Sequence, residues 1–194
     1  MRVFLALALF VILAACDTDQ ANYEWVDWTI MDEKSAEGKT SRYFIAFAGN
    51  PNANTKMKDD DGENYFAAVP ETFRSEEVGD GPATTDIIRT YGGEKTGRQE
   101  FSFSKPVDDP IIAILSLGNT DDGARLVFET EVELIKSGPG KWGGHADSLA
   151  VSEDGKTVIG KEGYGLIRIP GTHRKIGFTT PDFETDYGFQ IAVR

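Results

Sequence analysis

Trp142, His145, Asp147, Glu162 and Tyr164 crowd into one glycine-rich stretch, Ser137 to Gly171, and carry most of the chemistry this sequence could perform. His145 and Asp147, two positions apart, offer an imidazole and a carboxylate. A zinc centre needs three or four such ligands at recognisable spacing, and the only other histidine, His173, is remote. Ser148 or Ser152 beside His145 would imitate a nucleophile and its base, but no G-x-S-x-G elbow is present. Triads assemble by convergence in space, so that absence carries little weight. Glu162 and Glu184, each flanked by glycine or aromatic residues, would suit glycoside hydrolysis if about 5–9.5 Å apart. Between its glycines, Glu162 has a structural alternative, which is to accept backbone N–H groups and pin a turn. Trp25, Trp142, Tyr164 and Tyr187 lie near glycine-rich turns, where exposed rings stack on sugars or partner proteins and buried rings fill a core. A second cluster, Asp59, Asp61 and Glu63, invites calcium. It fails the EF-hand pattern, because Met57 and Ala68 occupy the first and last ligand positions. What remains is a weak calcium site or a solvated acidic loop.

The elements that position these residues read as strands. Leu149–Ser152 and Thr157–Ile159 flank Asp154-Gly155, a pair suited to a two-residue type I′ hairpin turn. Val26, Trp28 and Ile30 share one face of a strand over Tyr23–Met31. Arg42–Ala48 reads as a strand buried on both faces, and Tyr65–Val69 as a short strand ended by Pro70. Gln99, Phe101 and Phe103 alternate with polar residues in a strand that stops before Pro106. Pro110–Gly118 is nearly all apolar and therefore central. Arg125–Lys136 reads as one amphipathic strand, with Leu126, Phe128, Val132 and Leu134 opposite Glu129, Glu131 and Glu133. Arg174–Thr180 and Tyr187–Val193 complete the set, and Glu71–Gly97, with one apolar pair at Ile87-Ile88, reads mostly as loop with room for one strand or helical turn. Around nine or ten short strands and no sustained helical period imply an all-β fold, an antiparallel β-sandwich of jelly-roll type, over 23–194.

The compartment is written at the N-terminus. Met1-Arg2 precedes an apolar run from Val3 to Ala15, the pattern of a secretory signal over 1–15 and too short to span a bilayer comfortably. Leu13-Ala14-Ala15-Cys16 resembles a lipoprotein lipobox, which implies acylation of Cys16, a polar tether over 16–22 and an envelope protein held on a membrane. Asp17 resembles the inner-membrane retention signal of enteric lipoproteins, which implies an anchor in the inner membrane with the chain on its periplasmic side. Cys16 is the only cysteine, so no intrachain disulfide forms. The formal net charge of −12 argues against a nucleic-acid partner.

Four segments, F-S-F-S-K-P-V-D-D-P-I-I-A-I-L-S-L-G (Phe101–Gly118), S-G-P-G-K-W-G-G (Ser137–Gly144), G-K-E-G-Y-G-L-I (Gly160–Ile167) and Y-G-F (Tyr187–Phe189), resemble a bacterial secreted β-domain associated with the PEP-CTERM sorting signal. The resemblance covers roughly the C-terminal half. It implies an exported β-domain and brings no activity with it. Three functions follow as expectations: a lipid-anchored envelope module binding a carbohydrate or protein, a glycan hydrolase of the envelope, or a structural envelope lipoprotein. The binding module agrees best with the absence of a catalytic signature.

Overall fold

The structure, a computed structural model, describes residues 22–32, 34–49, 63–83 and 86–194. The signal run, Cys16, Asp17 and the expected calcium ligands Asp59 and Asp61 lie outside the described residues. The strands are β1 (Glu24–Trp25), β2 (Asp27–Met31), β3 (Ser35–Lys39), β4 (Phe44–Ala48), β5 (Ile88–Gly92), β6 (Arg98–Asp108) and β7 (Ile111–Leu117). They continue with β8 (Ala124–Phe128), β9 (Glu133–Gly138), β10 (Leu149–Val151), β11 (Thr157–Gly160), β12 (Gly163–Arg168), β13 (Thr172–Thr179) and β14 (Glu184–Val193).

Two antiparallel sheets pack face to face. One is ordered β1-β14-β7-β12-β9, with β5 also on β14; the other is ordered β10-β11-β8-β13-β6-β4-β3-β2. Four pairs nest along the chain: β1 with β14, β6 with β13, β7 with β12, and β8 with β11. Successive pairs fall alternately in the two sheets, which is the winding of a jelly roll. Between the sheets Phe47, Phe101, Phe178 and Phe189 form one aromatic cluster, with Phe101 and Phe189 centroids 5.4 Å apart and nearly perpendicular.

β7 is apolar on both faces, so the sheet that holds it has an outer face that must also leave water. The segment 63–83 does this. Tyr65, Phe66, Phe73 and Val78 pack on Ile111, Ala113, Leu115 and Leu166 as a second core. The strand expected at Tyr65–Val69 is therefore a run of turns, because its apolar side chains serve as a lid and not as a ladder.

Other sequence expectations change in the same way. Tyr23–Met31 splits at Val26, whose N–H donates to the Ile191 carbonyl at 3.0 Å, so β1 and β2 lie in different sheets. Arg125–Lys136 likewise splits, with β8 and β9 in opposite sheets and Leu134 exposed on an edge strand. A period-2 sequence pattern hides both crossings, because Val26 and Trp28, and likewise Leu126, Phe128 and Val132, face the inter-sheet core, while Leu134, beyond the second crossing, does not. β4 alternates instead of being buried on both sides, and Phe44 is 72 % exposed, because nothing among the described residues covers that outer face. β6 runs through Pro106, where four residues of β6 oppose one of β13, and that bulge spares the missing N–H. The β10–β11 hairpin exists, but of its central pair only Gly155 has a positive φ, 66°. That excludes a type I′ turn. The Asp154 carboxylate instead accepts the Lys156 and Thr157 N–H groups, and its hydrogen bond from Ser152, the largest cause, holds its pKa well below the usual range.

Candidate functional site

The site begins with an irregularity in β7. Leu117 pairs with Gly163 and Ile114 with Gly165, so Leu115 and Ser116 together oppose Tyr164. The extra residue reverses the alternation beyond it, returning Leu117 to the inter-sheet core. Ser116 takes a φ of 59° and its hydroxyl donates to Glu162 Oε1 at 2.7 Å. Glu162, at φ 53°, is also a non-glycine residue in the left-handed region. Two such residues joined by a hydrogen bond concentrate strain of about 1–3 kcal/mol each in one corner of the fold.

Glu162 gathers hydroxyls. Tyr164 donates to the same Oε1 at 2.6 Å, and the Tyr164 oxygen accepts the Trp142 N–H at 3.4 Å. Tyr164 is fully buried, and burial first, then the bond to Glu162, pushes its phenol pKa up. The expectation that Glu162 pins its turn through backbone N–H groups gives way to this hydroxyl cluster. The role expected of Glu162 falls to Glu184, whose two oxygens accept the N–H groups of Gly118 (2.6 Å) and Asp186 (3.3 Å). Burial raises the Glu184 pKa, with a smaller contribution from the Glu162 charge.

The G-K-W-G turn presents two side chains outward. Its first residue has no room for a side chain, since a Cβ on Gly140 would lie 2.1 Å from the Tyr164 ring. The Gly140 N–H donates to the Gly143 carbonyl at 2.7 Å, leaving Lys141 and Trp142 at the tip. Trp142 is 49 % exposed and rests on Tyr65, ring centroids 5.0 Å apart. The Lys141 ammonium lies 4.6 Å from the Tyr65 centroid and pairs with Glu63. Glu63, the one described residue of the calcium expectation, thus belongs to the support of Trp142. Among the described residues no group of three or more His, Cys, Asp or Glu is placed to hold a metal.

Trp142 forms one wall of a cavity of about 300 Å³, with Ser116, Leu115, Gly188 and the paired Arg89 and Asp186 around it. The Arg89 Nε donates to Asp186 at 3.1 Å. An aromatic face, a hydroxyl and a planar guanidinium–carboxylate pair at one opening are groups that recognise a small polar ring.

The remaining expected residues sit elsewhere. His145 and Asp147 are exposed, and His145 Nδ1 accepts the Asp147 N–H at 3.2 Å. The Ser148 hydroxyl donates to the Gly138 carbonyl and that of Ser152 to Asp154 and the Thr157 carbonyl; neither hydroxyl bonds to the His145 ring, and Ser148 meets His145 only through its N–H on the His145 carbonyl. His173 contacts the Pro170 carbonyl in the β12–β13 connection. Trp25 is half-buried and donates to the Asp80 carbonyl, while Tyr187 is core, its hydroxyl bonded to Thr180 and Gln99. Of the four aromatic candidates only Trp142 is free to meet a ligand. Sequence reasoning passed over Ser116, Tyr65, Arg89 and Asp186. Ser116 had a visible signal, a polar residue interrupting the I-I-A-I-L-S-L run of a central strand. No family model matches the chain, and no curated protein is significantly similar to it.

Proposed function

We propose that this chain is a lipid-anchored envelope binding module whose ligand, a glycan, enters the cavity beside Trp142. The observation that carries the reading is the half-exposed Trp142 ring, held by Tyr65, Lys141 and Tyr164 at the mouth of a polar cavity of about 300 Å³. The indole offers an apolar face to the C–H side of a sugar ring, and the Ser116 hydroxyl with the Arg89–Asp186 pair supplies donors and acceptors for its hydroxyls. Such a volume suits one or two sugar units. The anchor reading rests on Leu13-Ala14-Ala15-Cys16. Acylation of Cys16 and release of the Cys16→Ser form from membranes, both read by mass spectrometry of cell fractions, test it.

The binding test is a glycan array followed by calorimetry. Saturable binding that Trp142→Ala weakens at least about tenfold without loss of folding supports the reading. A blank array together with an empty envelope pull-down overturns it. The hydrolase alternative draws on Glu184, whose raised pKa and nearby Glu162 resemble an acid–base pair. Neither carboxylate lines the cavity, and both are engaged by donors from the protein, so binding is the better supported of the two. The structural lipoprotein is what remains if neither ligand nor turnover is found.

A further inference from the structure

The end of the sandwich opposite the Trp142 cavity has its own pattern of charge and exposed ring. β1 pairs Glu24 with Val193, so the chain joins the fold at the C-terminal end of β14. There the Glu24 carboxylate accepts the Ser41 N–H at 2.7 Å and the Ser41 hydroxyl at 2.6 Å, and Tyr43 donates to the Arg194 carbonyl. The β3–β4 turn, from Thr40 to Tyr43, is thus bonded directly to the first strand. Phe44 follows that turn, 72 % exposed on the outer face of the eight-stranded sheet. It borders an apolar groove of about 460 Å³ that also takes in Lys39, Ala46 and Ser104.

Cations lie along the same rim. Lys39 pairs in register with Phe44 on β3, Phe44 N–H donates to Ser104 on β6, and Lys105 follows with its ammonium 4.7 Å from the Tyr43 centroid. Arg174 lies on β13 opposite the β6 bulge that holds Lys105. Arg42 sits in the turn itself, 3.9 Å from Glu24. Among the described residues Lys39, Lys105 and Arg174 make no ion pair. The acids of the same rim are Glu37, which lines the same groove, Asp27, Glu24, which Ser41 and Arg42 hold, Asp108, which accepts the Thr172 hydroxyl, and Asp109, which pairs with Arg194. A chain of net charge −12 therefore carries an exposed aromatic ring and three cations without an ion pair at the end where its N-terminal segment joins. Screening over about 8–10 Å lets this local pattern, and not the distant acidic surface, decide what approaches it.

We infer that this rim is a docking surface for an anionic bilayer: Phe44 enters the headgroup–acyl boundary while Lys39, Arg42, Lys105 and Arg174 lie over lipid phosphates. The inference rests on the anchor at Cys16. That residue is six positions before Asn22, so even fully extended chain keeps Asn22, two residues before β1, within roughly 20 Å of the bilayer. One apolar ring and a few cations bind a membrane weakly alone, and become effective beside a covalent anchor. The Trp142 cavity lies at Gly188, five residues and roughly 17 Å back along β14 and on the other sheet, so docking turns it toward the aqueous side.

The test uses the acylated full chain carrying Phe44→Cys, in which the introduced thiol is the only one not bound to lipid, labelled with an apolar, environment-sensitive fluorophore. It is reconstituted into phosphatidylglycerol–phosphatidylethanolamine vesicles and, separately, into phosphatidylcholine vesicles. The expected result is a blue-shifted emission in the anionic vesicles that salt reverses and that Lys39→Glu, Lys105→Glu and Arg174→Glu together abolish. A label introduced through Asp147→Cys instead stays aqueous throughout. Unacylated Cys16→Ser protein should sediment with the anionic vesicles and lose about 100-fold in partitioning on the triple reversal. A label at position 44 that reads water in both vesicles, while the protein still floats with them, overturns the docking surface and leaves the anchor standing. If mass spectrometry shows Cys16 unacylated, the anchor reading fails, and the Cys16→Ser sedimentation alone decides the surface: no anionic preference overturns it.

Discussion

Tyr164→Phe isolates the contact that ties the Trp142 turn to the sheet. The ring stays, fully buried, so no cavity opens and the change is confined to one oxygen. That oxygen donates at 2.6 Å to the Glu162 carboxylate and accepts the Trp142 N–H at 3.4 Å. A hydrogen bond to a charged group contributes about 1.5–3 kcal/mol. The second contact is long and adds little, while Glu162 is only half-buried and recovers part of its loss from water. The expected destabilisation is therefore about 2 kcal/mol. With an m-value of about 2 kcal/mol/M, the urea midpoint falls by about 1 M, and the thermal midpoint by roughly 4–8 °C. A double-mutant cycle with Glu162→Gln should give a coupling of at least about 1 kcal/mol, because both changes act on one bond. If Tyr164→Phe costs less than about 0.5 kcal/mol, or if the two changes simply add, the Glu162 hydroxyl cluster does not hold the turn and the reasoning for a preorganised site fails.

Other perturbations probe separate parts of the fold. Gly140→Ala drives a Cβ to 2.1 Å from the Tyr164 ring and should cost about 1–3 kcal/mol by overpacking; full stability together with an unshifted Trp142 emission would contradict it. Gln190→Leu strands the Trp28 Nε1–H (2.7 Å) and the Val26 and Asp86 carbonyls (3.0 Å each) in the interior, for roughly 3–5 kcal/mol in chemical denaturation; a near-neutral result would mean those groups find other partners. The raised Glu184 pKa favours its protonated form in the folded chain, so its stabilising effect is complete below pH 4.5 and is lost as pH rises through the raised value. Glu184→Gln should remove that falling limb, and parallel urea midpoints for the two proteins from about pH 4 to 7 would count against it. Glu100 has the opposite sign: its bond from Lys175, then Arg98 and Ser102, lowers its pKa to about 2. The stability it contributes is complete above 4.5 and lost as pH falls toward 2, so Lys175→Ala should move acid unfolding to higher pH.

Much of the architecture was legible from alternation alone. Phe101 and Phe103 read correctly as inward-facing, Pro110–Gly118 as a central strand, and Asp154-Gly155 as the tip of a hairpin, because burial period and turn residues are local properties of the chain. Strand ends and sheet membership were not legible. Val26 and the 129–132 segment change sheets without breaking the period-2 pattern, and the crossing is decided by partners such as Ile191, far away in sequence.

The candidate site shows the same division. Sequence singled out Trp142, Glu162 and Tyr164 by residue type and glycine spacing, and the structure brings those three together. Whether an aromatic ring faces a ligand or a core depends on what packs over it, so Trp142 separates from Trp25 and Tyr187 only in three dimensions. Ser116, Arg89 and Asp186 join the site through a bulge and a strand pairing that no local pattern encodes, since strand register arises from the whole sheet. By itself, then, the chain determined an all-β sandwich with a glycine-rich aromatic turn. Tertiary structure decided which polar groups surround that turn and which end of the molecule carries it, because both follow from pairings between residues distant in sequence.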